Sequence, residues 1–265
     1  MIYHWQALSA PQLKAVAADD AVAVLTLGAI EQHGTHLPLA TDLIIGEGLQ
    51  RAALEALNPA IDAVCLPSLA IGASDEHANF AGTLSLPPAL AIATLEALGE
   101  SVWRAGFKKM VWINSHGGNK AVMDLAALTL RKRFDLRVVK ATYTRLPPLD
   151  GAIDAEELRY GLHGGLLETA MMLYLAPTLV DLQGYRPAAP ARPQSPDHLV
   201  APEGAAAFAW LGEDLSAQGV AGNASNAEAA LGKRLVEHYG KKLARVIEET
   251  AALPPFVPTQ GTPTD

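Results

Sequence analysis

Residues 22–42 read VAVLTLGAIEQHGTHLPLATD, an unbroken apolar run that stops at a cluster of groups suited to holding a cation. Val22 to Ile30 is aliphatic and rich in β-branched residues without alternation, the pattern of a strand covered on both faces. Glu31 and His33 follow at once, and residues two apart in extended chain point the same way. Asp42 stands where Thr41-Asp42 would cap a helix over Leu43–Leu57. One segment thus offers a carboxylate, an imidazole and a second carboxylate. This places a candidate metal site at the carboxyl end of a parallel strand, where open α/β sheets carry their chemistry.

Outward from this stretch the layout repeats. Ala63–Leu66 reads as a short buried strand, followed by the long polar loop IGASDEHANFAGTLSL, a candidate binding loop. Pro87-Pro88 open a helix that runs through Ala105 to a stop at Gly106. Lys109–Asn114 is another buried strand, breaking into Ser115-His116-Gly117-Gly118-Asn119 before a helix over Lys120–Phe134. Leu136–Thr142 is a further strand. The second part of GLHGGLLETAMMLYL (161–175) is helical, as is Ala227–Thr250. Strands alternating with helices predict an α/β fold with a mainly parallel sheet and right-handed crossovers. No domain boundary shows within 1–265. Residues 183–203, with five prolines, read as an irregular excursion, a lid or an oligomer contact, and 251–265 as a tail.

Composition narrows the function. An apolar fraction of 50% with mean hydropathy +0.16 over 265 residues supports one well-covered core. The net charge of −8, with no basic stripe, argues against nucleic acid and gives no reason to expect a membrane partner. Cys65 is the only cysteine, which excludes an intrachain disulfide and a thiolate zinc site and fits a reducing, cytoplasmic setting. The first twenty residues lack a signal-peptide pattern, and no stretch reaches about 18 uninterrupted apolar residues.

Three strand or loop ends carry the candidate chemistry: Glu31, His33, His36 and Asp42; then His116; then His163 with Glu168. In a parallel sheet such ends converge along one edge. Nitrogen and oxygen donors without sulfur suit Zn²⁺, Mn²⁺ or Fe²⁺. Taken singly, each residue has a plainer reading: a solvated loop carboxylate for Glu31, a helix cap for Asp42, hydrogen-bonded scaffold for His116 or His163. Four such residues in the twelve from Glu31 to Asp42 favour a common role. Gly117-Gly118 could cradle a phosphate at a helix start, but HGGN lacks the GxGxxG or Walker spacing, and Ser115 is in no GxSxG elbow. His198 and His238 read as surface histidines, and Met171 and Met172 as core.

GAIEQHGTHLPLATD (28–42), GASDEHANFAGTLSL (72–86), NSHGGN (114–119) and HGGLLETAMM (163–172) resemble, in order and spacing, the signature segments of the creatininase (creatinine amidohydrolase) family. GVAGNAS (219–225) is similar to that family's C-terminal turn. The resemblance implies a three-layer α/β/α sandwich and a divalent-metal amidohydrolase, commonly with two metals and commonly in hexamers; the donor set suits one or two ions of Zn²⁺, Mn²⁺ or Fe²⁺. By position, Glu31, Asp42, His116 and Glu168 would hold one metal, and His33 with the bridging Asp42 a second. His163 matches the proton-transfer histidine. Ser74 matches a substrate-contacting serine, with Glu76, His77 and Gly117 in the same substrate region. Creatinine-hydrolysing members carry a glutamate two residues after the His116 equivalent, where this chain has Gly118. Their substrate tryptophans also have no counterpart in 141–168, the four Trp here being 5, 103, 112 and 210. The first departure leaves the second metal site short of a carboxylate, and the second argues against creatinine itself.

The reaction implied is attack of metal-supplied hydroxide on an amide carbon, with His163 protonating the leaving nitrogen. Glu168 lies five residues after His163, about 140° away on a helix, so His163-Gly164-Gly165 reads as a loop leading into the helix. Two other readings keep the metal: a lyase or isomerase on a sugar-like substrate, and a non-catalytic binding protein.

Overall fold

The computed structural model describes residues 1–18, 20–189, 191 and 198–254; positions 190 and 192–197 of the expected excursion and 255–265 of the expected tail lie outside them. Two central strands follow directly from the two-sided burial of their sequences. The strands are β1 (Ile2–His4), β2 (Val22–Leu27), β3 (Ala63–Cys65), β4 (Lys109–Asn114) and β5 (Arg137–Thr142), in spatial order β1-β3-β2-β4-β5 with every pairing parallel. Each residue of β2 and β4 is buried. Val22, Val24, Val111 and Ile113 enter one core with α2 (Thr41–Ala56), α6 (Leu166–Leu175) and α8 (Ala229–Ala252). Ala23, Leu25, Met110 and Trp112 enter the other with α1 (Ala10–Ala18), α3 (Pro88–Arg104) and α4 (Asn119–Phe134). Alternation along each strand therefore feeds two cores, which makes the expected three-layer α/β/α sandwich. Met171 and Met172 are fully buried in the first core.

Topology places the site. The chain leaves β2 through α2 on one face of the sheet and leaves the neighbouring β4 through α4 on the other. Connections that diverge from adjacent parallel strands open a crevice at their carboxyl ends, the usual ligand position in open α/β sheets. Residues 28–42 and 115–118 form its two lips.

Local details differ from the sequence reading where tertiary contacts intervene. β2 ends at Leu27, because Gly28 N–H turns to donate to the Leu69 carbonyl (3.1 Å). The helix begins at Thr41, two residues earlier than expected, and neither Thr41 nor Asp42 caps it. Thr41 Oγ1 donates to Pro38 O (2.7 Å), and the Asp42 carboxylate is turned into the crevice. β1, α1 and α5 (Ala155–Tyr160) carry too little periodicity to be read from sequence; α5 is fixed by Asp154, whose Oδ1 accepts from Glu156 and Glu157 N–H. At the end of the excursion β6 (Val200–Ala201) pairs with β7 (Ala206–Ala207), which lies beyond it and is followed by the single-turn α7 (Gly212–Leu215). No helix among the described residues is long and apolar enough to cross a membrane.

Candidate metal centre

The loops at the crevice are pinned by their own polar groups. Glu31 N–H donates to Leu39 O (2.9 Å), closing the 31–39 loop, and Gln32 N–H donates to Thr83 Oγ1 (3.1 Å). Asn119 Nδ2 donates to Gly28 O (3.0 Å) while its Oδ1 accepts from Ala73 N–H (3.1 Å), tying three loops together. Ser115 Oγ reaches Asp42 O (2.7 Å). His163 lies in a short antiparallel pair with Ala221 (3.1 and 2.8 Å), and Glu168 sits in the first turn of α6, its Oε2 accepting from Gly164 N–H (2.6 Å). The loop-then-helix reading of 163–168 is therefore what the fold contains.

These elements bring Glu31, His33, Asp42, His116, His163 and Glu168 together. His116 Nδ1 stands 3.3 Å from both Glu31 Oε1 and Asp42 Oδ2. On the other side of Asp42, His33 Nε2 stands 3.6 Å from Oδ1 and 3.9 Å from Glu168 Oε2. Among the described residues four groups of three donors lie within ligand distance, Glu31–Asp42–His116, His33–Asp42–Glu168, Glu31–His33–His163 and Glu31–Glu76–His77, and the first two share Asp42. Glu168 falls with His33 rather than with Glu31 and His116, a partition that sequence spacing does not reveal.

Three features fit a divalent cation. Both oxygens of Glu31, Oδ2 of Asp42 and Nε2 of His33 are buried without a hydrogen-bond partner among the described residues, an arrangement that is expensive unless a cation completes it. Each histidine of the triads also gives its outer N–H to a backbone carbonyl. His116 Nε2 donates to Ala73 O (2.8 Å) and His33 Nδ1 to Glu31 O (3.1 Å), so each turns a lone pair toward Asp42, the outer-shell pattern of metal-ligating imidazoles. Finally, the donors are oxygen and nitrogen only, which suits zinc or manganese.

The electrostatics of the cluster agree with a cation site. Burial alone would lower His33 and His116, but the facing carboxylates overcome it: Asp42, Glu168 and Glu31 raise His33 to about 10, and Glu31 and Asp42 hold His116 well above the usual imidazole range. Burial would raise Glu31, yet His116, His163 and His33 hold it well below the usual carboxylate range. Burial raises Glu168 to about 7. A cation among these carboxylates would compete with protons on His33 and His116. His163 is different: burial, then His33 and His77, push it well below its ordinary value.

Of the remaining expected residues, Glu76, His77 and Gly117 line the same crevice, and Ser74 is buried beside His116. Ser74 Oγ is 3.3 Å from His116 Nε2, and Glu76 Oε1 is 3.6 Å from the same nitrogen. The His77 ring stacks on His163 with centroids 4.1 Å apart. Gly117 and Gly118 open onto a cavity of about 960 Å³. His36 stays outside the cluster, bonded to Thr169 Oγ1 (2.9 Å). Three contributors escaped the sequence reading. Gln32 bonds two of the site histidines. Glu157 is a buried carboxylate that accepts from Leu166 and Asn223 N–H, holding the His163 loop. Trp210 lines the cavity and meets His77 edge-on at 6.0 Å, so an aromatic wall is supplied from a segment far from 141–168.

A buried His, Asp and Glu donor set at the switch point of a parallel α/β/α sandwich defines a divalent-cation centre of the kind that metallohydrolases use. The chain belongs to the creatininase family: the family model described as creatinine amidohydrolase matches residues 6–247. It is 33% identical over 158 residues to the mycofactocin precursor peptide peptidase of Mycolicibacterium smegmatis, covering 58% of this chain and 58% of that protein. It is 32% identical over 225 residues to that of Mycobacterium tuberculosis, covering 80% and 78%. It is also 32% identical to the creatinine amidohydrolase of Pseudomonas putida, over 63% of this chain and 69% of that one. Among solved structures it superposes on a mutant creatininase of Zn–Zn type (TM-score 0.75, 27% identity, 93% and 97% covered). A manganese creatininase superposes similarly (TM-score 0.77, 25% identity, 94% and 98% covered).

Proposed function

We propose that the chain acts as one metal-dependent amidohydrolase unit that cleaves a C–N amide bond of a small molecule. The observation that carries this reading is the pair of triads sharing Asp42, with orphaned oxygens on Glu31 and Asp42. Glu31, Asp42 and His116 would hold one cation, and His33, Asp42 and Glu168 a second, Zn²⁺, Mn²⁺ or Fe²⁺. When bound, such a cation supplies hydroxide at neutral pH and polarises a carbonyl. The chain's own residues do the rest. His163 Nε2 donates to Gln32 O (2.7 Å), which leaves Nδ1 as a lone pair 3.7 Å from Glu31 Oε1, placed to take a proton from water and pass it to the leaving nitrogen. Ser74, Glu76, His77 and Gly117 bind and orient the substrate.

Position 118 supports a substrate other than creatinine. A Cβ there would lie 2.4 Å from Glu76 Oε1, so the Glu76 carboxylate occupies the space that a larger residue would need. A peptide end is a second reading, favoured by the cavity of about 960 Å³, at the upper end for small-ligand sites, with Arg145 and Trp210 in its lining. The peptidase names of the mycobacterial relatives favour it as well. A homo-oligomer, hexameric by family resemblance, and a cytoplasmic setting complete the proposal.

His163→Ala is expected to keep the metal content and lose about 10²–10⁴-fold in turnover on a cleaved amide. A metal-free but folded His163→Ala would make His163 a ligand instead. Incorporation of one ¹⁸O from labelled water into product separates hydrolysis from a lyase or isomerase.

A further inference from the structure

Four histidines face the cluster with known outer partners, and one of them is wired in the opposite sense. His33, His116 and His163 each give a ring N–H to a backbone carbonyl, at 3.1, 2.8 and 2.7 Å, and so turn a lone pair inward. His77 instead meets the side-chain amide of Gln32, with Nδ1 2.9 Å from Gln32 Nε2. The orientation of that amide is fixed by its other contacts: Oε1 accepts from Gly34 N–H (2.9 Å), and Nε2 donates to Gly219 O (2.7 Å). The second proton on Gln32 Nε2 therefore points at His77 Nδ1, which must accept it. A neutral imidazole that accepts at Nδ1 carries its proton on Nε2. His77 Nε2 lies 3.7 Å from Glu31 Oε1, beyond hydrogen-bond reach, with its N–H facing the same gap as His163 Nδ1.

We propose that Gln32 is a positioning residue that holds His77 as the Nε2–H tautomer, so that His77 donates a hydrogen bond to the substrate carbonyl oxygen and is not a metal ligand. The role rests on the amidohydrolase reading above. Glu31, Glu76 and His77 form one of the donor groups within ligand distance, but an imidazole nitrogen that bears a proton cannot ligate. Gln32 then sets both stacked rings, His163 through its backbone carbonyl and His77 through its amide, as an inward acceptor and an inward donor. In cleavage of R–CO–NH–R′, water forms the new C–O bond and its proton passes to His163 Nδ1. As the C–N bond breaks, that proton goes to the leaving nitrogen, giving the carboxylic acid and the amine and restoring neutral His163. His77 transfers nothing. Its N–H meets the carbonyl oxygen as negative charge develops there.

The test is nitrogen-15 NMR of the histidine-labelled, Zn²⁺-loaded protein, with the His77 signals assigned by their loss in His77→Gln. A proton on Nε2 and a bare Nδ1 are expected; a proton on Nδ1 overturns the assignment. Gln32→Glu replaces the donor by an acceptor and should move the His77 proton to Nδ1, whereas an unchanged His77 signal overturns the role of Gln32. Should that variant not fold, Gln32→Met removes the hydrogen bond and should shift the Nδ1 resonance. His77→Leu should keep its metal and lose about 10²–10³-fold in kcat, with partial rescue in His77→Gln, whose amide retains an N–H. Loss of a metal equivalent in His77→Leu would make it a ligand and overturn the proposal. A wild-type protein that cleaves no amide defeats the hydrolase reading, and with it the carbonyl role, while the spectrum still decides the tautomer.

Discussion

At Gly118 an ideal Cβ would stand 2.3 Å from the carbonyl oxygen of Ala73 and 2.6 Å from His116 Nε2, as well as against Glu76. The backbone oxygen cannot step aside as a flexible side chain would, and it is the acceptor that orients His116. Gly118→Ala should therefore lower stability by about 1–3 kcal/mol, the usual range for overpacking, and weaken metal retention through His116. Thermal unfolding and metal analysis of the variant check both; a wild-type melting temperature with full metal would show that the pocket gives way. At this scale the sequence was only partly legible. Glu31, His33 and Asp42 stood out because charges directly after a buried strand need a reason. Gln32 did not, because its partners lie 45 and 187 positions away and a lone amide carries no local signal.

Glu157 governs the element that carries His163. Its carboxylate accepts from Leu166 N–H at 2.9 Å and from Asn223 N–H at 3.0 and 2.9 Å, joining α5, the start of α6 and the 219–225 turn. Glu157→Ala leaves those N–H groups without their acceptor, at about 1–3 kcal/mol for each that stays buried. Since Glu157 touches no ligand of the triads, the expected outcome is a lower melting temperature and reduced kcat with metal content close to wild type. Equal loss of metal would place Glu157 in the centre itself. Elements were legible in proportion to how their burial is patterned. β2 and β4 are covered on both faces and read as apolar runs, and β4 matches its expected limits. β1 is a three-residue edge strand with no buried residue, and α5 is a six-residue helix of mixed composition, so neither leaves a period to read.

Over the whole molecule, one topological fact does most of the work: adjacent parallel strands β2 and β4 send their helices to opposite faces, so residues 31–42 and 116 meet at one crevice and α6 delivers Glu168 beside them. Alternating strands and helices made that convergence foreseeable. Which donors pair with which was not, because the partition of Glu168 with His33 depends on ångström-scale placement of α6 against α2. Anomalous diffraction from crystals loaded with Zn²⁺ or Mn²⁺ tests the central claim most directly. The account predicts at least one ion in ligand contact, about 2.0–2.2 Å, with the Asp42 carboxylate, shared with Glu31 and His116 or with His33 and Glu168, and its loss in Asp42→Ala. An ion bound away from Asp42, or an undiminished metal content in Asp42→Ala, would contradict it.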